Sequence, residues 1–106
     1  MRFLIVTKGR DPVPPEMAMP MIQMMQGWMA EHRSSGKLEQ IWSFAGQLGG
    51  GAIANVDSHE ELDKMMAGFP FGQTSHVDVY PLADLDAALE GGLAAIQAMM
   101  AAAGGD

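Results

Sequence analysis

The sequence predicts an α+β domain: four short strands in one antiparallel sheet, with helices covering one of its faces. Three observations predict it. From Leu38 to Tyr80 the hydrophobic pattern alternates, turns helical, then alternates again, which gives strand, turn, strand, short helix and strand. Strands this short do not survive alone in water, so they must share a sheet. At 106 residues the chain has the commonest size for a single domain, taken here as residues 1–106. With 48% of residues hydrophobic and only 18% charged, there is enough apolar surface for a folded core.

Phe3-Leu4-Ile5-Val6 is a continuous apolar run closed by Lys8-Gly9, the pattern of a central strand covered on both faces. Asp11-Pro12-Val13-Pro14-Pro15 is then a rigid extended connector, either a plain linker or a lip over a pocket. From Glu16 to Ser34 the pattern is helical, with Met17, Met21, Met24, Met25, Trp28, Met29 and His32 at three- and four-residue spacing. Pro20 removes a hydrogen bond from a helix begun at Glu16, so the helix is expected to start near Ala18 or to kink. Ser34-Ser35-Gly36 stops it, with Arg33 in the last turn.

Leu38 to Ala45 reads as a strand with Leu38, Gln40, Trp42 and Phe44 on one face and Glu39, Ile41 and Ser43 on the other. Gly46 to Gly51 is expected to turn the chain into a strand over Ala52–Val56. The Gly49-Gly50-Gly51 run is no phosphate cradle, because no helix follows it; small residues there suit a bulge or a close approach. Ser58 and Glu61 form a capping box for a helix buried through Leu62, Met65 and Met66 and ended by Gly68. After the apolar turn Phe69-Pro70-Phe71-Gly72, the strand Thr74–Tyr80 sends Val77 and Val79 one way and His76, Asp78 and Tyr80 the other. Leu85, Ala88, Leu89, Leu93, Ile96 and Met100 make the stripe of a last helix, weakened at Gly91-Gly92 and expected to fray over Ala101–Asp106.

The order β-α-β-β-α-β plus a terminal helix is the ferredoxin-like arrangement, an antiparallel sheet with two helices on one face. Its other face has no cover, yet the strands carry large apolar groups on both faces. That predicts an interface, most simply a homodimer pairing sheet against sheet, with the terminal helix reaching over the partner.

A formal net charge of -7, with six scattered Lys and Arg, argues against nucleic acid and against an anionic membrane surface. No cysteine means no disulfide, no thiolate chemistry and no Cys-based metal site. Three histidines without convergent spacing predict no metal centre. No glycosidase-like carboxylate pair and no Ser or Cys nucleophile motif is present. The N-terminal apolar run is too short for a secretory core or a bilayer span, and the expectation is a soluble cytoplasmic protein with no membrane contact.

The run Trp42-Ser43-Phe44-Ala45-Gly46, then Val56, Ser58, Glu60 and Leu62 at alternate positions, then Phe69-Pro70 and the strand from His76 to Leu82, resembles the muconolactone delta-isomerase family. The glycine-rich strand and the Gly68–Phe71 turn also look like YCII-related proteins of the same dimeric α/β-barrel superfamily. The resemblance implies a ferredoxin-like protomer, a sheet-to-sheet dimer often assembled further, and a cleft between sheet and helices. In that cleft small organic acids or lactones would be handled without a cofactor. Ser43, Gln47 and Leu48 stand where the isomerases carry polar groups that include Arg, His and Tyr.

Proton transfer near neutral pH points to histidine, and His76 shares a strand face with Asp78 and Tyr80. Strand neighbours at i and i+2 lie roughly 6 to 7 Å apart, so a base, a carboxylate and a phenol can line one wall, or form a polar network inside the dimer interface. His32, in line with Trp28 and Met25, either points into the cleft beside Trp42 or caps its helix at the surface. Gln47 either hydrogen-bonds a carbonyl or begins a turn. Met21, Met25, Trp28, Trp42 and Phe44 complete an apolar lining, since unbranched thioethers adapt to irregular ligands. Two functions follow: an isomerase or cyclase of small lactones or related carbonyl compounds, and a non-catalytic binding module for an apolar small molecule.

Overall fold

The structure is a computed structural model that describes residues 1–104. Its elements are β1 (Arg2–Gly9), α1 (Pro15–Ser34), β2 (Leu38–Ser43), β3 (Gly49–Asn55), α2 (His59–Ala67), β4 (Ser75–Pro81) and α3 (Leu85–Gly104). All strand pairs are antiparallel and the sheet order is β2-β3-β1-β4. This is the expected ferredoxin-like βαββαβ order with an extra C-terminal helix.

Register decides which side chains share a face. Phe3 and Ile5 of β1 stand opposite Ala54 and Ala52 of β3, and on the other side opposite Pro81 and Val79 of β4. Helices α1 and α2 cover this face. Phe3, Ile5, Leu38, Ala52, Ala54, Val56, Leu62 and Met65 form one buried cluster, with Trp28, Ile41, Met66 and Val77 packed on it. Small alanines on central β3 leave room for the large side chains of β1 and α2. The Trp28 indole N–H donates to the Met65 carbonyl at 3.2 Å, so the two covering helices are tied together as well as packed.

Four expectations about local structure change. Helix α1 starts at Pro15, not near Ala18. Pro15 occupies the first helical position, where the missing N–H has no partner in any case, and Pro20 is carried inside the helix. Leu38 does not share a face with Trp42. A bulge between Leu38 and Gln40 puts Leu38 opposite buried Ala54 but Gln40 opposite Ile53, so Leu38 faces the helices and Gln40 and Trp42 face away. The triple glycine is not in the turn but opens β3, pairing with Lys8, Thr7 and Val6. Helix α3 runs on through Ala101 to Gly104, and the tail expected to fray at Gly105 and Asp106 lies outside the described residues.

The methionine stripe is only half buried. Met21, Met25, Trp28, Met29 and His32 form the inward line of α1, while Met17 and Met24 are exposed. The capping box of α2 is present in shifted form: Ser58 Oγ accepts from the Glu61 N–H at 3.0 Å, and the Glu61 carboxylate accepts from the Asp57 N–H at 3.1 Å. Every described residue of α3 is exposed. It is the one helix among the described residues long and apolar enough to cross a bilayer on length and composition, a feature that the N-terminal run gave no sign of.

Candidate active site on the open sheet face

The face turned away from α1 and α2 mixes apolar and titratable groups. Leu4, Val6 and Lys8 of β1 stand opposite Tyr80, Asp78 and His76 of β4, so the three catalytic candidates share this face, and His76 has Lys8 as its cross-strand neighbour. His76 Nε2 lies 3.2 Å from Asp78 Oδ1, and both side chains are open to solvent. In the tautomer whose Nε2–H donates to the Asp78 carboxylate, Nδ1 carries the lone pair that can accept a proton.

Trp42 lies across the sheet from this pair. Its row runs from Trp42 of β2 to Gly51 of β3, Val6 of β1 and Asp78 of β4. A Cβ built on Gly51 would sit 2.6 Å from Trp42 Cζ2 and 2.8 Å from its Nε1, so the indole lies over Gly51 and any larger residue there must push the ring aside. Gly49, at the start of the same strand, has φ +138 and no room for a side chain against the Thr7 carbonyl. The Trp42 indole N–H makes no hydrogen bond among the described residues, and the residue is 39% exposed.

The other candidates divide between the two sides of the sheet. Trp28 and His32 meet edge to face at 4.9 Å on the helix side, so His32 does not stand beside Trp42. Met21 lines a groove of about 760 Å³ with Met17, Met24, Met66, Phe69 and Val77, and Met25 is half buried on the same inward line of α1. His32 borders a smaller hollow of about 260 Å³ with Lys37, Glu61 and Lys64. Phe44 is half buried just past the end of β2, its N–H donating to the Gly49 carbonyl at 3.0 Å. Gln47 is exposed in the turn between β2 and β3. Gly51 and Lys8 join the candidates on this face, although the sequence alone does not single them out. The parity of β1, with Leu4, Val6 and Lys8 at alternate positions, was the signal for the second; only the register reveals the first.

Beside the smaller hollow Lys37 Nζ lies 2.7 Å from Glu61 Oε1. That hydrogen bond raises the Lys37 pKa and lowers the Glu61 pKa from their ordinary values, the latter helped by the Asp57 N–H. The described residues hold no cluster of three His, Asp or Glu able to grip a metal ion.

The sequence profile described as muconolactone delta-isomerase matches residues 1–87. Among solved structures, a muconolactone isomerase crystal structure superposes with a TM-score of 0.73 at 20% identity, covering 79% of this chain and 90% of that one. A 5-chloro-2-hydroxyhydroquinone dehydrochlorinase from Burkholderia phenoliruptrix, complexed with 2,5-dihydroxybenzoquinone, gives a TM-score of 0.64 at 17% identity, covering 78% of this chain and 94% of that one. At such identities the two structures establish the fold. No curated protein sequence matches significantly.

Proposed function

The chain belongs to the muconolactone delta-isomerase family, and on that premise we propose that it is an isomerase or cyclase that moves a carbonyl-adjacent proton on a small lactone or related carbonyl compound. No cofactor takes part in this scheme. The observation that carries it is the His76–Asp78 pair at 3.2 Å on the open face, facing Trp42 across a floor formed by Val6. Three strand spacings separate the Trp42 and Asp78 backbones, roughly 14 Å, and the indole over Gly51 occupies about one of them. What remains above Val6 suits a single small ring.

His76 Nδ1 takes the proton from the carbon beside the carbonyl, and the electron pair moves onto the carbonyl oxygen. Asp78 orients the ring and offsets the imidazolium charge. A donor to the forming oxyanion comes from the Tyr80 phenol, the Gln47 amide or the Trp42 indole N–H, which has no partner among the described residues. His76 then returns its proton to a different carbon of the conjugated system, so the double bond has shifted and the protein is unchanged. A second copy of the chain covering the open face would exclude water from this space and make the site shared between protomers.

Proton NMR in deuterated buffer with butenolides and muconolactone tests the reading. Protein-dependent loss of a carbonyl-adjacent proton signal is expected, and His76→Ala lowers its rate by about 10² to 10⁴. Unchanged exchange in that variant removes His76 as the base.

A second reading, a binding module for an apolar small molecule, is supported by the groove along Met17, Met21 and Met24, whose volume falls in the range of ligand sites. Line broadening without exchange, and a melting temperature raised by the same compound in a Met21→Glu-sensitive way, would favour it over the first.

A further inference from the structure

Helix α3 begins at Leu85, and the family match ends at residue 87, so nearly all of α3 lies outside what the family fold explains. Its large apolar side chains are aligned. Leu85, Leu89, Leu93, Ile96 and Met100 fall on one stripe, and Ile96 and Met100 repeat Leu85 and Leu89 eleven residues on, a spacing close to the straight α-helical period. These five residues are between 56% and 69% exposed. Most other positions are alanine or glycine, which let another backbone approach closely, and the carboxylates Asp86 and Glu90 sit in the first two turns only.

We infer that α3 is an association arm, pairing antiparallel with α3 of a second copy of this chain along that stripe. Area supports it: the five side chains expose about 500 Å² of apolar surface per copy, so pairing removes at most about 1,000 Å² from water, and the contact reaches the size of a specific interface together with the open sheet face. Such a seam strengthens a second contact between copies, and the open sheet face offers one. Charge sets the direction. In a parallel pair the four carboxylates of two Asp86 and two Glu90 would crowd one end of the seam; antiparallel pairing puts each pair beside the partner's uncharged half. Spacing fits as well, because one register sets Leu85 against Met100 and Leu89 against Ile96, and its midpoint between Gly92 and Leu93 brings the two Leu93 side chains side by side.

The same two carboxylates, together with Gln97, favour association between proteins over insertion in a bilayer. The inference stands apart from the proposed chemistry, since none of the residues assigned to proton transfer lies on α3.

The absence of cysteine makes the test direct. Full-length Leu93→Cys, Leu85→Cys and the double variant Leu85→Cys with Met100→Cys are exposed to oxidised glutathione and run on a non-reducing gel. Covalent dimer is expected from the first and third and not from the second. Adding Leu89→Glu and Ile96→Glu to Leu93→Cys is expected to abolish the dimer band, and the same two changes in the otherwise unaltered chain to lower its mass by light scattering. Because every described residue of α3 is exposed and both tryptophans lie outside it, the Trp28 environment, read by near-ultraviolet circular dichroism, reports that the sheet domain stays folded in these variants. The proposal is overturned if Leu93→Cys stays monomeric, if Leu85→Cys alone cross-links as readily, or if the two glutamates leave cross-linking intact. It is equally overturned if the wild-type chain floats with phosphatidylcholine vesicles and the glutamate variant does not.

Discussion

The two faces of the sheet are built from alternate residues of the same strands, yet they pose different physical problems. On the helix side Phe3, Ile5, Ala52 and Ala54 are buried under α1 and α2 in one hydrophobic cluster, with the His59 ring edge-on to Phe3 at 5.6 Å. On the open side Leu4, Val6 and Ile53 are half buried, and they share the surface with Lys8, His76, Asp78 and Tyr80. The first face is a closed packing problem that one chain solves for itself. The second is left for something else to complete, which is where chemistry can be placed without dismantling the core. The contrast predicts that stability and activity separate by face.

The largest expected effect tests the packed side. Phe3 is 4% exposed, and Phe3→Ala is expected to cost about 3–5 kcal/mol, enough to unfold much of a small domain at physiological temperature. Val6→Ala, three residues along on the opposite face, removes two half-buried methyl groups and is expected to cost about 1 kcal/mol. Thermal denaturation of both variants checks the pair. A concentration-dependent cost for Val6→Ala would sharpen the comparison, because it would mean that a second copy buries the open face.

Next in size is Gly51→Val, which fills the space beneath the Trp42 indole. The expected cost is about 1–3 kcal/mol, at the low end because a half-exposed ring can move aside. Its effect on function is expected to be larger than its effect on stability: tryptophan emission shifts to the red and proton exchange falls while the domain stays folded. Unchanged emission would mean that Trp42 is not held by Gly51 in solution, and the ring would lose its place in the site.

The order of elements along the chain, both covering helices and the capped start of α2 were legible because period-two and helical patterns are set by local burial. The errors came where one residue changes parity. Leu38 to Phe44 alternates cleanly in the sequence, but Leu38 opposes Ala54 and Gln40 opposes Ile53, and that single extra residue reverses the face of Leu38. The glycine run looked like a turn because glycine carries no hydrophobic signal; its role as a bed for Trp42 exists only once β2 and β3 are paired. The shared strand face of His76, Asp78 and Tyr80 was legible. Its separation from Met21, Met25, Trp28 and His32 was not, because which side of a sheet the helices cover is decided by the whole register rather than by any segment.

The smallest effect concerns the helix cover alone. Lys37, in the connection between α1 and β2, and Glu61 of α2 are bridged at 2.7 Å on the packed side of the molecule, and both side chains are partly in solvent. The Glu61 pKa is lowered in the folded chain, so its contribution is complete above the unfolded carboxylate value of about 4.3 and is lost as pH falls through the lower folded value. The Lys37 pKa is raised, so its contribution is complete below about 10.4 and is lost as pH rises through the higher folded value. Between those limits the pair adds a small, flat increment, reduced by salt. Glu61→Gln keeps an acceptor for the Asp57 N–H and removes only the charge. It is expected to lower the melting temperature slightly at neutral pH and to leave a shallower acid limb below about pH 4.3, while His76-dependent proton exchange on the other face keeps its rate. A change in that rate would mean that the two faces are coupled through the sheet, and the separation drawn here would fail.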